Sequence, residues 1–424
     1  MNIKPNALFT GDNLYILNGM NSECVDLIYL DPPFNSKRMY KAPVGSRAAG
    51  AEFKDMWTWQ DVDTATLERL VIDHPALVDY IQTIGEVHSK AMMSYITYMA
   101  QRIIQCRRVL KPTGSIYLHC DPTASHYLKL VLDNIFGRGN FRNEIVWSYR
   151  RWSGKTKAYQ KMHDIILFYA KQDKRHIWNW PMEAKAKGTP TYKRWNEWDE
   201  EKQKLVTKSD PTVEVSETSM RDVWEIPRLQ ANSAERTGYP TQKPLALLER
   251  IVKASSNEGD IVLDPFCGCA TAMVWAQQHR RKWIGIDIAE PAADILVQRL
   301  TDDAGILKDF APGEGLDFIH RTDIPERTDT TTINLRSAAQ KNAIKDLLYG
   351  TQGGDCAGCS RHFQKQDFHI DHIIPKDKGG GDYESNLQLL CGNCNSIKGN
   401  RPMEYLQVKI RTRREKLKQV SFGE

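Results

Sequence analysis

Long apolar runs are missing from this 424-residue chain. None approaches the ~20 residues that a membrane-crossing helix needs, which excludes a helical membrane protein. The opening Met1-Asn2-Ile3-Lys4-Pro5 has no apolar leader stretch, so the expected location is the cytoplasm. A strong charge bias is also missing. Lys and Arg number 58 against 53 Asp and Glu, a balance of +5 that permits a nucleic-acid partner without requiring one. Nor is there a disulfide framework. Cys24, Cys106, Cys120, Cys267 and Cys269 are scattered, as reduced thiols of a cytoplasmic chain would be. What remains is an ordinary globular composition, 41% hydrophobic, with length for two or three domains.

Against that background two segments stand out. The apolar run Val25-Asp26-Leu27-Ile28-Tyr29-Leu30 ends in Asp31-Pro32-Pro33-Phe34. It reads as a strand delivering one carboxylate and one aromatic ring to an open edge. The prolines lock φ and donate no N–H, which fixes the turn. The carboxylate and backbone carbonyls can accept hydrogen bonds from an exocyclic amine, and the ring can stack on a base. An ordinary strand-end turn would look the same in isolation. Far downstream, Gly259-Asp260-Ile261-Val262-Leu263 runs into Asp264-Pro265-Phe266-Cys267-Gly268-Cys269-Ala270, with a helix predicted from Thr271. Such a strand–loop–helix brings backbone N–H groups and a helix N-terminus to a nucleotide-like ligand. The next strand, Lys282-Trp283-Ile284-Gly285-Ile286-Asp287, ends in an acid about 20 residues on, the spacing at which a carboxylate grips a ribose diol. Ahead of the loop lie Thr241-Gln242-Lys243-Pro244 and an amphipathic helix over residues 245–252.

Together these boxes resemble the DNA amino-methyltransferases over roughly residues 1–300. The motifs are D-P-P-F, T-Q-K-P and D-P-F-x-G, and their order, base box before cofactor loop, resembles the permuted β group. The resemblance implies a Rossmann-like, doubly wound α/β sheet in circularly permuted order and S-adenosylmethionine as methyl donor. It places Asp31, Pro32, Pro33 and Phe34 at the amine. It places Thr241, Gln242, Lys243, Pro244, Asp264, Pro265, Phe266, Cys267, Gly268, Thr271 and Asp287 at the cofactor. Asp12 matches the family's acid near the cofactor adenine, and it also reads as the cap of a helix beginning at Asn13. The family usually has Gly where this chain has Ala270, and alanine there requires a negative φ. Adenine N6 is favoured because Asp heads the first box; cytosine N4 is the alternative. RNA or protein substrates are a rival class, which the recognition-sized segment after residue 150 disfavours.

Between the boxes, strands and helices alternate over residues 20–150, which predicts a mostly parallel sheet. Ser89–Leu110 reads as a helix stopped by Lys111-Pro112-Thr113-Gly114, and Ser115-Ile116-Tyr117-Leu118-His119-Cys120-Asp121 as the next buried strand. Residues 40–88 form a polar insertion. The loop containing Arg150, Arg151, Trp152 and Lys155 is basic and aromatic, suited to phosphate contact and stacking beside an extruded base of double-stranded DNA. A solvated hairpin is its ordinary reading. Residues 150–235 lose regular periodicity and take the position of a target-recognition region. The expected domains are 1–318, a polar Thr-rich linker at 319–338, and 339–424. A homodimer stays open.

The last segment carries Cys356-Ala357-Gly358-Cys359 and Cys391-Gly392-Asn393-Cys394, two knuckles that four thiolates would close on a structural Zn²⁺. Between and after them come Asp371-His372-Ile373-Ile374-Pro375, a Gly-rich turn, Asn386-Leu387-Gln388-Leu389-Leu390 and Asn395. This segment resembles HNH endonucleases over about residues 339–402 and implies a zinc-stabilised ββα-metal fold. There His372 would be the general base, Asn386 the holder of its loop, and Asp371 with Asn395 the ligands of a Mg²⁺ or Mn²⁺ ion. The alternative is a zinc-stabilised DNA-binding module without cleavage. The basic tail, including Lys409, Arg411 and Arg413, reads as phosphate contacts or as a solvated helix.

Overall fold

The computed structural model describes the chain apart from residues 37, 44, 63–69, 71–72, 152–153, 155–156, 185–191, 201, 203, 215–216, 231, 305–317, 330–332, 379, 402, 404 and 411–424. Nine strands form one sheet: β1 (Ala7–Thr10), β2 (Val25–Leu30), β3 (Leu110–Cys120), β4 (Phe141–Ser148), β5 (His163–Ala170), β6 (Val223–Glu225), β7 (Ile261–Asp264), β8 (Lys282–Asp287) and β9 (Ile319–Arg321). Their spatial order is β6-β4-β5-β3-β2-β7-β8-β1-β9. Only β5 runs antiparallel to its neighbours. The expected mostly parallel sheet is therefore present.

Parallel strands need cover on both faces, so their sequences are apolar throughout. Helices α1 (Asn13–Gly19), α2 (Pro75–Val87), α3 (Lys90–Val109) and α4 (Ser125–Phe136) pack one face, with Leu17, Ile81, Met99 and Leu128 against Val25, Ile28, Ile116 and Leu118. Helices α5 (Leu245–Ser255), α6 (Thr271–Gln278) and α7 (Pro291–Ala304) pack the other, with Leu248, Met273 and Leu296 against Leu27, Tyr29, Tyr117 and Val262. Period-two alternation thus sends Tyr29, Tyr117 and His119 to the same face.

Two differences from the sequence reading are instructive. Helix α3 stops before Lys111-Pro112-Thr113-Gly114 as expected, but those residues already belong to β3 rather than preceding it. The chain passes from α3 straight into β3, and the register against β2 shifts between Val25 and Leu27. A bulge of this kind tolerates Pro112, which has no N–H to give to a ladder. Residues 182–219, though aperiodic, form two antiparallel ribbons, Tyr192–Asp199 with Lys204–Glu214 and Met182–Ala184 with Glu217–Ser219. Their sequences, such as Tyr192-Lys193-Arg194-Trp195-Asn196-Glu197, show no sustained hydrophobic alternation to read.

The polar stretch read as a linker contributes β9 to the sheet edge and then a strap. Asn2 donates to Gly19 O and Glu326 O, Ser22 N–H donates to Asp329, and Arg327 donates to Ser22. A Cβ on Gly19 would lie 2.0 Å from Pro325 O, so only glycine lets the strap seat there. Beyond it, α8 (Ala338–Thr351), the hairpin β10 (Phe368–His372)/β11 (Leu387–Cys391) and α9 (Gly392–Lys398) form a small ββα unit with its own core around Leu348, Phe368, Leu389 and Leu406.

Candidate functional site

The carboxyl ends of β1, β2, β7 and β8 open into one cavity of about 590 Å³. Its position at the C-terminal edge of a parallel sheet is where α/β folds bind ligands. Asp31, Pro32, Pro33 and Phe34 leave β2 on one side. Asp264, Pro265, Phe266, Cys267, Gly268 and Thr271 leave β7 on the other, with Asp287 from β8 and Asp12 from β1. Thr241, Gln242 and Lys243 complete the wall. Pro244 is the N-cap of α5. The two sequence boxes, more than 200 residues apart, therefore meet at one cavity.

Lys243 joins them physically. Its ammonium donates to Asp31 Oδ1 at 2.7 Å and Oδ2 at 2.5 Å across 212 residues of sequence. The sequence reading put Lys243 with the cofactor; the structure puts its charge on the amine-side carboxylate. Phe34 lies beside this pair, with Lys243 Nζ 5.3 Å from its ring centre and His119 tilted against it at 5.5 Å. His119, which sequence reasoning missed, is fully buried on β3. An ionisable residue inside a buried strand was the available signal. Its Nδ1 lies 3.0 Å from the Tyr29 hydroxyl and 3.8 Å from Asp31, and its Nε2 lies 3.4 Å from Asp164, which also accepts from the Tyr149 hydroxyl.

On the cofactor side, Asp12 caps α1 by accepting from Leu14 N–H and pairs with the buried Arg102 at 2.8 Å. Arg102 also donates to Asn13, and Asn13 donates to Pro265 O, so α1, α3 and the D-P-F loop are locked together. Neither Arg102 nor Asn13 was singled out by sequence. Asp287 accepts from the N–H groups of Gly268 and Ala289, which ties the loop to β8. Burial pushes the Asp287 carboxyl up from its ordinary range, against those backbone donors. Burial and the charges of Asp31 and Asp287 push Asp264 well above its range. Ala270 does not have the negative φ expected of it: its φ of 60° and ψ of 32° are left-handed. Its side chain is held in the core formed by α5 and α6, which keeps it there despite the cost. Thr241 shares that conformation at φ 63°.

A roof covers the cavity. The hairpin Arg38–Lys41/Glu52–Asp55 stacks Tyr40 on Phe53 and Phe53 on Tyr239. It is tethered to the D-P-P-F loop, where Asp55 accepts from Asn35 and Ser36 N–H, and to the T-Q-K-P loop, where Ala48 N–H donates to Thr237 O. The polar insertion is thus part of the site. The walls suit S-adenosylmethionine: carboxylates for its cationic groups, Phe266 and Ile288 as apolar surface, and Trp57, whose buried indole N–H makes no hydrogen bond among the described residues. Arg150 and Arg151 are exposed just beyond β4; Trp152 and Lys155 lie outside the described residues. Trp224 is buried on the sheet edge and Trp178 stacks on Phe168, so these two tryptophans are core.

In the ββα unit the sulfurs of Cys356, Cys359, Cys391 and Cys394 all lie within 4.8 Å of one another, and all four residues are buried. That clustering fits one tetrahedral Zn²⁺. Asn386 accepts from Ile374 N–H and donates to Ile374 O and Gly381 O, which closes the loop after His372. A Cβ at Gly380 would lie 1.7 Å from Ile374 O, which explains the glycine turn. His372 Nε2 is 2.7 Å from Asp382, an acid that sequence reasoning passed over inside that turn. Asp371 is already engaged by Lys398 at 3.0 Å and Gln388 at 2.8 Å. A divalent ion on Asp371 and Asn395 would have to compete with that buried ammonium, so the side chains as arranged do not form a ready cage. No helix among the described residues is long and apolar enough to cross a membrane.

Similarity to known proteins agrees with this geometry. A family described as DNA methylase matches residues 25–298, and one described as HNH endonuclease matches residues 356–401. The type II methyltransferase M.HpaI of Haemophilus parainfluenzae is 32% identical over 206 residues, 49% of this chain and 59% of that protein, so the chain spans less than two thirds of that relative. The DNA adenine methyltransferase YhdJ of Escherichia coli K12 is 28% identical over 295 residues, 69% of this chain and 82% of that one. The solved M1.HpyAVI–SAM complex aligns with a TM-score of 0.40 and 17% identity over 69% of this chain and 98% of that chain. A match across residues 25–298 makes the chain a member of the DNA methylase family, here joined to an HNH domain.

Proposed function

We propose that the chain methylates the exocyclic amine of a base flipped out of double-stranded DNA, with adenine N6 favoured, and that its HNH unit cleaves DNA. The carrying observation is the convergence of Asp31-Pro32-Pro33-Phe34 and the Asp264–Thr271 loop on one roofed cavity. S-adenosylmethionine held by Phe266, Gly268, Asp287 and Asp12 would supply an electrophilic methyl group. Asp31 and the Pro32 carbonyl accept from the amine and orient its lone pair, and Phe34 stacks on the base. The amine is inaccessible inside the duplex, so flipping is required. Positioning supplies most of the rate, and the Tyr40–Phe53 roof excludes water. Lys243 holds the Asp31 carboxylate in place through both oxygens. Adenine is supported by Asp at the head of the box and by the similarity to YhdJ, a DNA adenine methyltransferase.

In the HNH unit, Asp382 orients His372 so that its other ring nitrogen can take a proton from water. Asp371 and Asn395 would hold a Mg²⁺ or Mn²⁺ ion once Lys398 yields, and the four cysteines a structural Zn²⁺. The deciding experiment is single-molecule sequencing of DNA from cells expressing the protein, paired with tritiated methyl transfer to DNA, RNA and protein pools. Methyl-adenine in a fixed context is the expected result. Label in RNA or protein alone would sink the reading.

A further inference from the structure

Methyl transfer to an amine leaves a proton to be placed. The nitrogen lone pair forms the new N–C bond, sulfur keeps the electrons of the broken S–C bond, and one N–H proton must depart. Asp31 is the nearest acceptor, but Lys243 donates to both of its oxygens. With both oxygens already engaged by that ammonium, Asp31 is a poor final resting place for the proton. Behind it stands a buried chain the mechanism above does not use.

We propose that His119 is a positioning residue behind Asp31, which receives the amine proton through that carboxylate and holds it between Asp31 and Asp164. Resting on the amine-pocket reading, the inference follows from where each group points. Tyr29 stays a hydroxyl, since burial, then Asp31, Asp264 and Asp164, push its ionisation well above the ordinary range. Its O–H can donate to His119 Nδ1 at 3.0 Å, which leaves Nδ1 carrying a lone pair and Nε2 carrying the hydrogen toward Asp164. Asp31 Oδ1 lies 3.8 Å from that lone pair. With the Tyr29 O–H rotated off Nδ1 and the gap closed by about 1 Å, that lone pair is free to accept a hydrogen bond from protonated Asp31. The proton then passes from Asp31 to Nδ1, Asp31 returns to its Lys243-paired carboxylate, and the imidazolium sits between two carboxylates. Burial would raise the Asp164 carboxyl, but the hydrogen bond from His119, the charge of Lys243 and the Tyr149 hydroxyl hold it below its ordinary range. It is therefore an anion ready to stabilise the imidazolium. The groups facing His119 are Asp31 and Tyr29 from β2 and Asp164 from β5, with Lys243 behind Asp31 and Tyr149 behind Asp164. Trp147 and Phe34 supply the apolar walls.

The test uses the full chain. First, ¹⁵N-histidine NMR at pH 8 without cofactor, with His119→Asn for assignment, should find His119 as the Nε2–H tautomer. An Nδ1–H tautomer would overturn the proposal. Second, single-turnover tritium transfer to plasmid DNA from a methylation-deficient host is followed against pH. A protonated imidazole cannot accept, so the wild-type rate should fall at acid pH. His119→Asn, which can still bond Tyr29, should lose about 10²-fold in rate and lose that acid limb, with cofactor affinity within about twofold. Asp164→Asn removes an anion and should move the limb to lower pH. If His119→Asn does not fold, that shift decides the matter, and an unmoved limb overturns the proposal. Asp31→Asn runs alongside. If it is inactive while His119→Asn matches wild type, the relay is wrong and the amine pocket stands. Full activity in Asp31→Asn would instead refute the amine pocket itself.

Discussion

At the methylase site Asp31 is held by Lys243, with side chains 18% and 8% exposed, and a histidine behind it touches a second carboxylate. In the HNH unit Asp371 is held by Lys398, with side chains 10% and 1% exposed, and the neighbouring His372 likewise touches a second carboxylate, Asp382. The surroundings differ. Asp31 opens onto a roofed cavity on a nine-stranded sheet whose two faces are both covered. Asp371 lies on a two-stranded hairpin with a small core and four clustered cysteines. The large domain can stabilise its charged site with apolar packing. The small one has far less area to bury, so a metal on its four cysteines is expected to supply much of its stability.

The largest effect should therefore come from the cysteines. Cys391→Ser should abolish zinc binding, whose apparent free energy in small modules is about 10–16 kcal/mol. The HNH unit should unfold while methyl transfer persists. Metal analysis and limited proteolysis check this, with about one zinc per wild-type chain expected. Unchanged zinc content would break the contrast between the domains.

Next in size is separation of the activities. His372→Ala should lower nicking of a supercoiled plasmid with added Mg²⁺ or Mn²⁺ by about 10²–10⁴-fold and leave methylation intact. Asp31→Asn should do the reverse. Asn is preferable to Ala because it leaves less of a void beside the Lys243 ammonium. A His372→Ala protein that nicks at the wild-type rate would remove the histidine from the reaction.

The two lysines test the shared device directly. Replacing either with Met leaves a partly buried carboxylate unpaired, which costs about 3 kcal/mol. Lys243→Met should lower the melting transition of the methylase domain. Lys398→Met should behave differently if a divalent ion takes the vacated place: destabilised in chelator, recovered in Mn²⁺. Calorimetric scans with and without metal report both. No recovery in Mn²⁺ would argue against Asp371 as a ligand.

A smaller effect is expected from pH. Asp264 and Asp287 are raised above their ordinary values, chiefly by burial. In the free protein such groups favour folding at low pH, and that contribution is lost as pH rises through the raised values. A cationic ligand favours their ionised forms. S-adenosylmethionine affinity should then increase with pH across that range, with proton release. Titration calorimetry in two buffers of different ionisation heat measures it, and proton uptake would contradict the assigned wall.

The fold was largely legible because parallel strands covered on both faces are written as apolar runs, and β2, β7 and β8 fell where those runs lie. The loop residues that line the cavity were picked out by their motifs. His119 was not, because inside Ile116-Tyr117-Leu118-His119-Cys120 it occupies one more alternating position, and only the third dimension brings Asp164 to it. Lys243 was named for its box, but its contact with Asp31 was not legible, since that partner lies 212 residues away. The polar insertion gave no period, and its role as a roof depends on tethers to two other loops. Ala270 shows the limit of local rules: its sequence predicts negative φ and its packing imposes the opposite. Ala270→Gly should relieve about 1 kcal/mol, the smallest effect here, read as a rise in the melting transition.

The strap over the N-terminal helix sets a leash. Asp329 is pinned to Ser22, and Ile333 N–H already donates to Asp382 O inside the HNH unit. Three residues separate the anchors, so their Cα atoms stand at most roughly 14 Å apart. A leash that short keeps the HNH unit at high local concentration on any duplex that the methylase domain engages. If the proposed nuclease acts in cis, cuts are expected within a few helical turns of the modified base, and mapping cut ends against methylated positions measures that distance on DNA.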